Sequence, residues 1–308
     1  MLPRDLVLQV RHAKINPERY ALYRRAILIA IVGNLVLALS KGAVAWISNS
    51  NAVLADAANS VSDVLYTIFL AFGLAISQRP PDRDHPQGHA RFEPLVSLVV
   101  GAIMGLTGYE VIRHSLVDLF GPLAPITPGW PTAVLVGSGL IKSGMYLMVR
   151  RIARYMRSPA IAATAADNLA DVVTSVAALV GVWGSNWVSP LLDPIGGVVV
   201  SLWIFRTAHG VLRENLGYLT GQAAGPEIID RIIGEARSVA GVRDVHQVVA
   251  DYVGPQLRVD MHIDVDGTLP FSHIHGISDA VSQKVEGIDE VDLVFIHVEP
   301  TEREMSNE

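Results

Sequence analysis

The sequence predicts an α-helical membrane protein, with a six-helix transmembrane bundle followed by a C-terminal cytoplasmic α/β domain. Half of the 308 residues are hydrophobic and only 18% are charged, which is typical of a chain that mostly contacts lipid. The charged residues concentrate at the two ends and in a few short loops. After about residue 220, the long apolar segments give way to short amphipathic ones. These observations favour a membrane domain followed by a soluble one.

Six apolar segments are each close to the roughly 20 residues that a helix needs to cross a bilayer. They cover residues 21–47, 52–76, 93–119, 130–150, 161–184 and 189–208. Some carry polar residues such as Lys41, Glu110 and Lys142, which a bundle with a wet interior requires. The predicted organisation is a cytoplasmic N-terminal segment at 1–20, the bundle at 21–208, a connector at 209–219, an α/β domain at 220–300 and a disordered tail at 301–308.

The charge of the loops predicts the orientation of the bundle. The segments 48–51, 121–129 and 185–190 contain no Lys or Arg, whereas the loops after spans two and four are rich in Arg. Because basic loops stay on the cytoplasmic side, both termini are expected there. The chain is therefore predicted to be a multi-pass protein of the cell (inner) membrane.

Two matched pairs of polar side chains lie within apolar segments. Asn59 and Asp63 are four residues apart in the second segment, and Asp167 and Asp171 are four residues apart in the fifth. This spacing puts each pair on one helix face, while an Asp near the middle of a bilayer costs roughly 2.5 to 3.5 kcal/mol. If the two helices face each other, repulsion among three carboxylates favours a cation between them. The pattern predicts a divalent-metal site, and hydrogen bonding within the bundle is the alternative.

The predicted site offers only oxygen ligands. Carboxylate, carbonyl and water oxygens suit Mg, Ca and Mn, whereas zinc sites favour His or Cys. The ligand type therefore favours manganese over zinc. Asp56 extends the same helix face, three residues before Asn59 and seven before Asp63. It is either a wall residue of the exit path or a capping and structural residue.

A second group of candidate ligands lies in the loop after the second segment. Asp82, His85 and His89 can gather on one side of a short turn, and two imidazoles with a carboxylate have the character of metal ligands. The alternative is a polar loop that contacts lipid headgroups or ties two helices together. Both readings remain open from the sequence.

The C-terminal part of the chain is predicted to form a two-layer αββαβ, ferredoxin-like domain. Its predicted elements are a helix at 226–239, strands at 245–252 and 256–266, a helix at 273–286 and a strand at 292–298. The second strand alternates apolar and polar residues. The dipeptide Gly254-Pro255 indicates the turn before that strand.

Several motifs together resemble the cation diffusion facilitator family over nearly the whole chain. They are the Ser50–Asp56 entry into span two, the stretch Asp84–Glu93, the Leu192-Asp193-Pro194 opening of span six and the αββαβ tail. The segments 59–63 and 167–171 are most similar to the bacterial manganese-exporting branch. In this family, two i, i+4 pairs on the second and fifth helices form the transport site. The resemblance therefore implies that role for the residues called here the transport quartet: Asn59, Asp63, Asp167 and Asp171.

The resemblance also implies a homodimer and further metal sites. The positions of Asp82, His85 and His89 form a cytoplasmic site in some members, and zinc-transporting members place a His at position 167. Four residues of the tail match positions that bind metal between the two soluble domains of some zinc-transporting relatives. These are His262, His275, His297 and Glu299. A surface side chain is the alternative for any one of these histidines, and His246 and His273 are further candidates.

The predicted function is divalent metal efflux by a Mn²⁺/H⁺ antiporter with alternating access, and zinc or Fe²⁺ efflux is the alternative. Metal is the expected substrate and a candidate regulator, and no prosthetic group is expected. The expected partners are the lipid bilayer, protons and a second copy of the chain. The net charge of −6 gives no support to nucleic-acid binding.

Three other classes of protein compete with this prediction. An intramembrane metalloenzyme would need an activated water and a general base, and a passive channel would need a ring of like residues along a pore. A metal sensor or scaffold could use the tail alone. Because no second constellation accompanies the transport quartet in the sequence, we expect a transporter and not an enzyme.

Overall fold

The computed structural model describes residues 17–48, 51–121 and 130–301, with the helix backbone alone at 17–20, 51–59 and the positions 45, 47, 48, 62, 130, 131, 182, 185 and 186. Six long helices come first, as predicted. They are α1 (Pro17–Ser48), α2 (Asn51–Ser77), α3 (Phe92–Phe120), α4 (Trp130–Met156), α5 (Pro159–Trp187) and α6 (Leu192–Leu219). Within the described residues, all of these except α2 contain a stretch of 23 to 29 residues that is apolar enough to cross a membrane, and the apolar part of α2, Asp63–Ser77, is shorter.

Helix α6 extends well beyond the apolar span predicted at 189–208, so residues 209–219, predicted as a connector, are its last turns. Falling hydropathy marks the edge of the membrane and does not by itself end a helix. The helix ends just before Gly221, which has a φ of 71°, a left-handed conformation that favours glycine at helix ends. Of the predicted terminal segments at 1–20 and 301–308, residues 17–20 are the first turn of α1, and residues 1–16 and 302–308 lie outside the described residues.

The helices of the bundle approach one another through small residues. Helix α1 packs against α2 and α4, α4 packs against α5, and α3 packs against α2 and α5. A side chain at Gly33 would meet Met145 of α4, and one at Gly73 would meet Val96 of α3. Small residues at such positions let the backbones come close, which is how helices gain van der Waals contact in a lipid environment.

A buried carboxylate joins three of these helices. Glu93, at the start of α3, is 2% exposed, and its Oε2 accepts a hydrogen bond of 2.9 Å from the Tyr23 hydroxyl of α1. Ser158 donates a hydrogen bond to Glu93 Oε1 and also caps α5 by accepting from the backbone N–H of Ile161. The first turn of α5 is therefore tied to α1 and α3.

The C-terminal domain has the predicted αββαβ order. Its elements are α7 (Pro226–Arg237), β1 (Val242–Val253), β2 (Gln256–Val265), α8 (Phe271–Val285) and β3 (Val291–Pro300). The sheet order is β1-β2-β3, with β2 antiparallel to β1 and parallel to β3. The turn between β1 and β2 contains Gly254, with a φ of 70°.

The side chains of strand β2 point alternately to the two faces of this sheet. Its burial alternates strictly along the strand, and the inward residues form a core with Ile232 of α7 and Val281 of α8. These inward residues are Leu257, Val259, Met261, Ile263 and Val265. The other face, called here the open face, carries the polar residues of β2. The apolar alternation that predicted the strand is therefore the pattern that builds the core.

Two valines on neighbouring strands test this division. Val259 is fully buried, whereas Val249 is 49% exposed. In the separate unit Gly217–Glu308, Val259→Ala should lower the free energy of unfolding by about 2 to 3 kcal/mol, because it removes two buried methyl groups and leaves a cavity. Val249→Ala should lower it by less than about 1 kcal/mol. Urea denaturation followed by circular dichroism measures both, and equal losses would contradict the assignment of faces.

Candidate metal centre

The acidic residues of the two apolar helices converge on a lysine of a third helix. Lys142 of α4 is 4% exposed, and its Nζ lies 3.1 Å from Asp63 Oδ2 of α2 and 2.6 Å from Asp171 Oδ2 of α5. Asp63 and Asp171 are 18% and 28% exposed at their side chains. An ammonium group can donate hydrogen bonds to several oxygens at once. The structure therefore brings carboxylates of α2 and α5 to one point.

The third acid of the quartet is held by a tyrosine. The Tyr66 hydroxyl of α2 donates a hydrogen bond of 2.6 Å to Asp167 Oδ2 of α5. Sequence reasoning missed this residue, although Tyr66 follows Asp63 by three positions and so lies on the same helix face. The signal was present, because a hydroxyl beside a buried carboxylate is a natural hydrogen-bond donor.

Helix α1 supports the same region of α2. The Thr67 hydroxyl donates to the carbonyl of Asp63 at 2.6 Å, and Asn34 Nδ2 donates to Thr67 Oγ1 at 3.0 Å. The remaining members of the predicted site, Asn59 and Asp56, lie on the described backbone of α2. Their side chains lie outside the described part of the structure, so the amide oxygen predicted as a ligand and the predicted exit-path wall stay predictions.

This arrangement can hold a positive charge in an apolar surrounding. The three carboxylates share this region with the ammonium of Lys142, and the buried Lys41 is within electrostatic reach of Asp63, so the acids outnumber the cations and burial favours a further compensating cation. Every ligand atom that the three acids supply is an oxygen, which suits hard cations. The ligand type therefore suits a hard cation, but among the described residues the three acids do not bring their oxygens within 4.8 Å of one another, as the two groups below do with their ligand atoms.

The loop residues Asp82, His85 and His89 also come together. Asp82 lies 3.5 Å from His85 Nδ1 and 3.3 Å from His89 Nε2, and one ligand atom from each of the three falls within 4.8 Å of the others. His89 is buried, and its Nδ1 lies 3.1 Å from the carbonyl oxygen of Pro80. Because a carbonyl only accepts, Nδ1 donates to Pro80, and Nε2 is the ring nitrogen that faces the Asp82 carboxylate.

Hydrogen bonds within the loop stabilise the anionic form of the Asp82 carboxylate. Its Oδ1 accepts hydrogen bonds from the backbone N–H groups of His85 and Asp84 at 2.7 and 3.0 Å. The bond from His85 is the main reason that the pKa of Asp82 is lowered from its ordinary value. This loop therefore has the donor set of a metal site.

A third group lies on the open face of the sheet. His246 of β1, His262 of β2 and Glu299 of β3 place one ligand atom each within 4.8 Å of one another. Glu299 is 2.9 Å from His262 Nδ1 and 3.5 Å from His246 Nε2. The hydrogen bond from His262 is the main reason that the pKa of Glu299 is lowered, which keeps this carboxylate anionic at neutral pH.

The other two predicted ligands of the C-terminal domain, His297 and His275, lie on different elements. His297 pairs with His262 across β2 and β3, and its Nε2 is 3.5 Å from Glu299. His275 lies on α8 and contacts Asp279 at 3.5 Å, so within one chain it does not join the cluster on the sheet. His246 does join it, because β1 pairs with β2 beside His262.

Comparison with known protein families decides the identity of the chain. Residues 27–220 match the family profile described as the cation efflux transmembrane domain, and residues 224–301 match that of the cation efflux protein cytoplasmic domain. The chain belongs to the cation diffusion facilitator, or cation efflux, family. It is therefore a membrane protein of a metal efflux family, and this family consists of transporters and not enzymes. The resemblance drawn from the sequence motifs is confirmed.

Individual relatives align over most of their length with this cation efflux protein. The uncharacterised transporter YdbO of Bacillus subtilis is 32% identical over 276 residues, 89% of this chain and 94% of the relative. The manganese efflux system protein MneS of the same organism is 28% identical over 281 residues, 90% and 95% of the two chains. The magnetosome protein MamM of Paramagnetospirillum magneticum is 32% identical over 265 residues, 84% and 82%.

The open-face cluster generates a test on the unit Gly217–Glu308. This unit should bind a divalent metal at neutral pH, and its affinity should fall as the pH is lowered, because protons compete with the metal for the imidazole nitrogens. His262→Gln should weaken binding by about tenfold or more. Isothermal titration calorimetry with Zn²⁺ and Mn²⁺ measures these affinities.

The matched control is His273→Gln, on the exposed start of α8 and outside the cluster. Its affinity should stay within about twofold of the wild type. Equal effects of the two substitutions, or no heat of binding at pH 7, would leave the open-face histidines as ordinary surface residues. His275→Gln separates a ligand set within one chain from one that includes α8 of a second copy.

Proposed function

We propose that this cation efflux protein exports Mn²⁺ from the cytoplasm in exchange for protons. The observation that carries the proposal is the convergence of Asp63 and Asp171 on one buried cation, Lys142 Nζ, at the meeting of α2, α4 and α5. Carboxylates gathered in this way around a positive charge inside an apolar bundle suit a cation in transit. The i, i+4 pairs in the sequence also predict a cation site formed by α2 and α5.

The ligand type supports manganese as the substrate. Manganese stands at the bottom of the affinity order for divalent metals, so a site selects it by geometry and ligand type and not by strength of binding. The transport quartet supplies carboxylate oxygens and, from Asn59, an amide oxygen, with no imidazole to favour zinc. The relative MneS, named as a manganese efflux system protein, aligns with 90% of this chain over 95% of its own length.

The proposed mechanism is alternating access around a fixed site. Metal enters from the cytoplasm and binds Asp63, Asp167 and Asp171, with the Asn59 amide completing the shell. Rocking of the helices then opens the site to the outside, along a path whose wall includes Asp56. Protons from the outside compete for the same carboxylates and release the metal.

The proposed transporter is a homodimer in the inner membrane with both termini in the cytoplasm. In this arrangement the Asp82 loop and the open-face cluster are exposed to cytoplasmic metal, so they are suited to sensing its concentration. Their imidazoles suit zinc better than manganese as the metal that is sensed. Efflux of Zn²⁺ or Fe²⁺ by the same mechanism is the second candidate function. The transport assay below includes all three metals for this reason.

Removing a carboxylate of the quartet tests the site itself. Asp63→Asn and Asp171→Asn keep the size of the side chain but remove its charge, so metal transport should fall by about 100-fold or more. Uptake into proteoliposomes containing the full-length protein, with and without a pH gradient, measures this for Mn²⁺, Zn²⁺ and Fe²⁺. The control is Asp118→Asn near the exposed end of α3, which should transport normally. Normal transport by both quartet variants would overturn the site assignment.

Changing one ligand from oxygen to nitrogen tests the selectivity. Asp167→His supplies an imidazole and removes one negative charge, and both changes favour zinc over manganese. The ratio of manganese to zinc uptake should therefore fall by about tenfold or more. Asn59→Asp, which keeps an all-oxygen shell, should retain the manganese preference. A wild type that prefers zinc, or an unchanged ratio in Asp167→His, would contradict manganese as the substrate.

A further inference from the structure

The cation between Asp63 and Asp171 belongs to the protein itself. Lys142 Nζ bridges one oxygen of Asp63 and one of Asp171, at 3.1 and 2.6 Å. These are distances of direct, charge-assisted hydrogen bonds. Lys142 is on α4, whereas the two carboxylates are on α2 and α5, so its ammonium group links two helices that the proposed mechanism links through metal.

We propose that Lys142 is a tethered counter-ion that competes with the transported metal and must be displaced when the metal binds. The inference rests on the proposed function and adds a residue of α4 that determines the affinity and the charge selectivity of the quartet. A divalent ion and an ammonium group cannot share the same carboxylate oxygens at hydrogen-bond distance, because both the volume and the charge of the lysine head oppose the metal. Each metal ion that enters therefore replaces the two ion pairs of Lys142.

The need for such a counter-ion follows from burial. Lys142 is 4% exposed, and the carboxylates that it joins are mostly buried. Leaving two buried carboxylates without a cation is strongly unfavourable, because neither water nor an opposite charge then compensates them. A tethered ammonium removes that cost between transport events, and its tether keeps it in the bundle when the metal leaves.

Displacement of a tethered cation also discriminates among ions by charge. A monovalent ion that entered the site would replace one unit charge by another and would lose its own hydration, so it gains little. A divalent ion doubles the charge beside the carboxylates, and Coulomb attraction scales with that charge. The lysine therefore weakens all metal binding while it excludes monovalent cations most strongly.

Neutral replacements of Lys142 test the proposal on the purified full-length protein. Lys142→Met keeps an unbranched side chain one atom shorter and removes the charge, and Lys142→Gln keeps a polar head without charge. A neighbouring positive charge changes the constant with which a carboxylate binds a proton by roughly one to three powers of ten, and a similar effect is expected for a metal ion. The dissociation constant for Mn²⁺ should therefore fall by about tenfold or more in both variants, and Na⁺ should begin to compete. Lys142→Arg keeps a cation, and its affinity should lie nearer to that of the wild type.

Calorimetry at pH 7 gives these constants, and Asp171→Asn in each background identifies the heat that belongs to the quartet. An unchanged or weaker affinity for Mn²⁺ in Lys142→Met and Lys142→Gln overturns the proposal while the wild-type, Asp171-dependent binding still stands. A wild type without any Asp171-dependent binding instead overturns the proposed function itself. The two failures are therefore distinguishable.

A measurement on the wild type covers the case in which neither neutral variant folds. Lys142 can be mapped by mass spectrometry after treatment with an amine-acylating reagent, with and without Mn²⁺. Displacement from its two carboxylates should raise the acylation rate of Lys142 at least about threefold above that of the metal-free protein. A rate that stays the same or falls on addition of Mn²⁺ overturns the proposal.

Discussion

Acidic side chains inside an apolar helix bundle must be matched by positive charge, and the architecture of the membrane domain depends on this constraint. Asp63 and Asp171 come from helices that are far apart in the chain, and Lys142 of α4 joins them. Helix α4 packs against both α1 and α5, and α1 packs against α2, so the lysine is carried to the acids by ordinary helix packing. The hydrogen bond from Tyr66 to Asp167 links α2 directly to α5.

The local parts of this design can be predicted from the sequence, because they depend on the period of one element. The i, i+4 spacing is enough to put Asp167 and Asp171 on one face of α5. Alternation along β2 is enough to separate its core residues from its polar ones. The order of helices and strands follows in the same way, and the structure confirms the predicted fold class.

Contacts between elements could not be predicted in this way. A single lysine such as Lys142 has no periodic partner in the sequence, so only the packing of α4 shows which acids it meets. The same applies to the tail, where the pairing of β1 with β2 brings His246 to His262. Resemblance to relatives pointed to His262, His297 and Glu299 on the sheet, but also to His275, which lies on α8, while His246 was a further candidate. The end of α6 is a different case, because hydropathy reports the membrane boundary and not the helix boundary.

The alternating burial of β2 makes the tail unusually sensitive to one kind of genetic change and tolerant of another. Inserting or deleting one residue within β2 would exchange its two faces. Met261 would then face outward, and His262 would face the core. Such a change would remove the fold and the ligands together. A substitution on the open face, by contrast, leaves the inward residues of β2 unchanged. The metal chemistry of this surface can therefore drift by point substitution among related proteins while the domain beneath it stays intact.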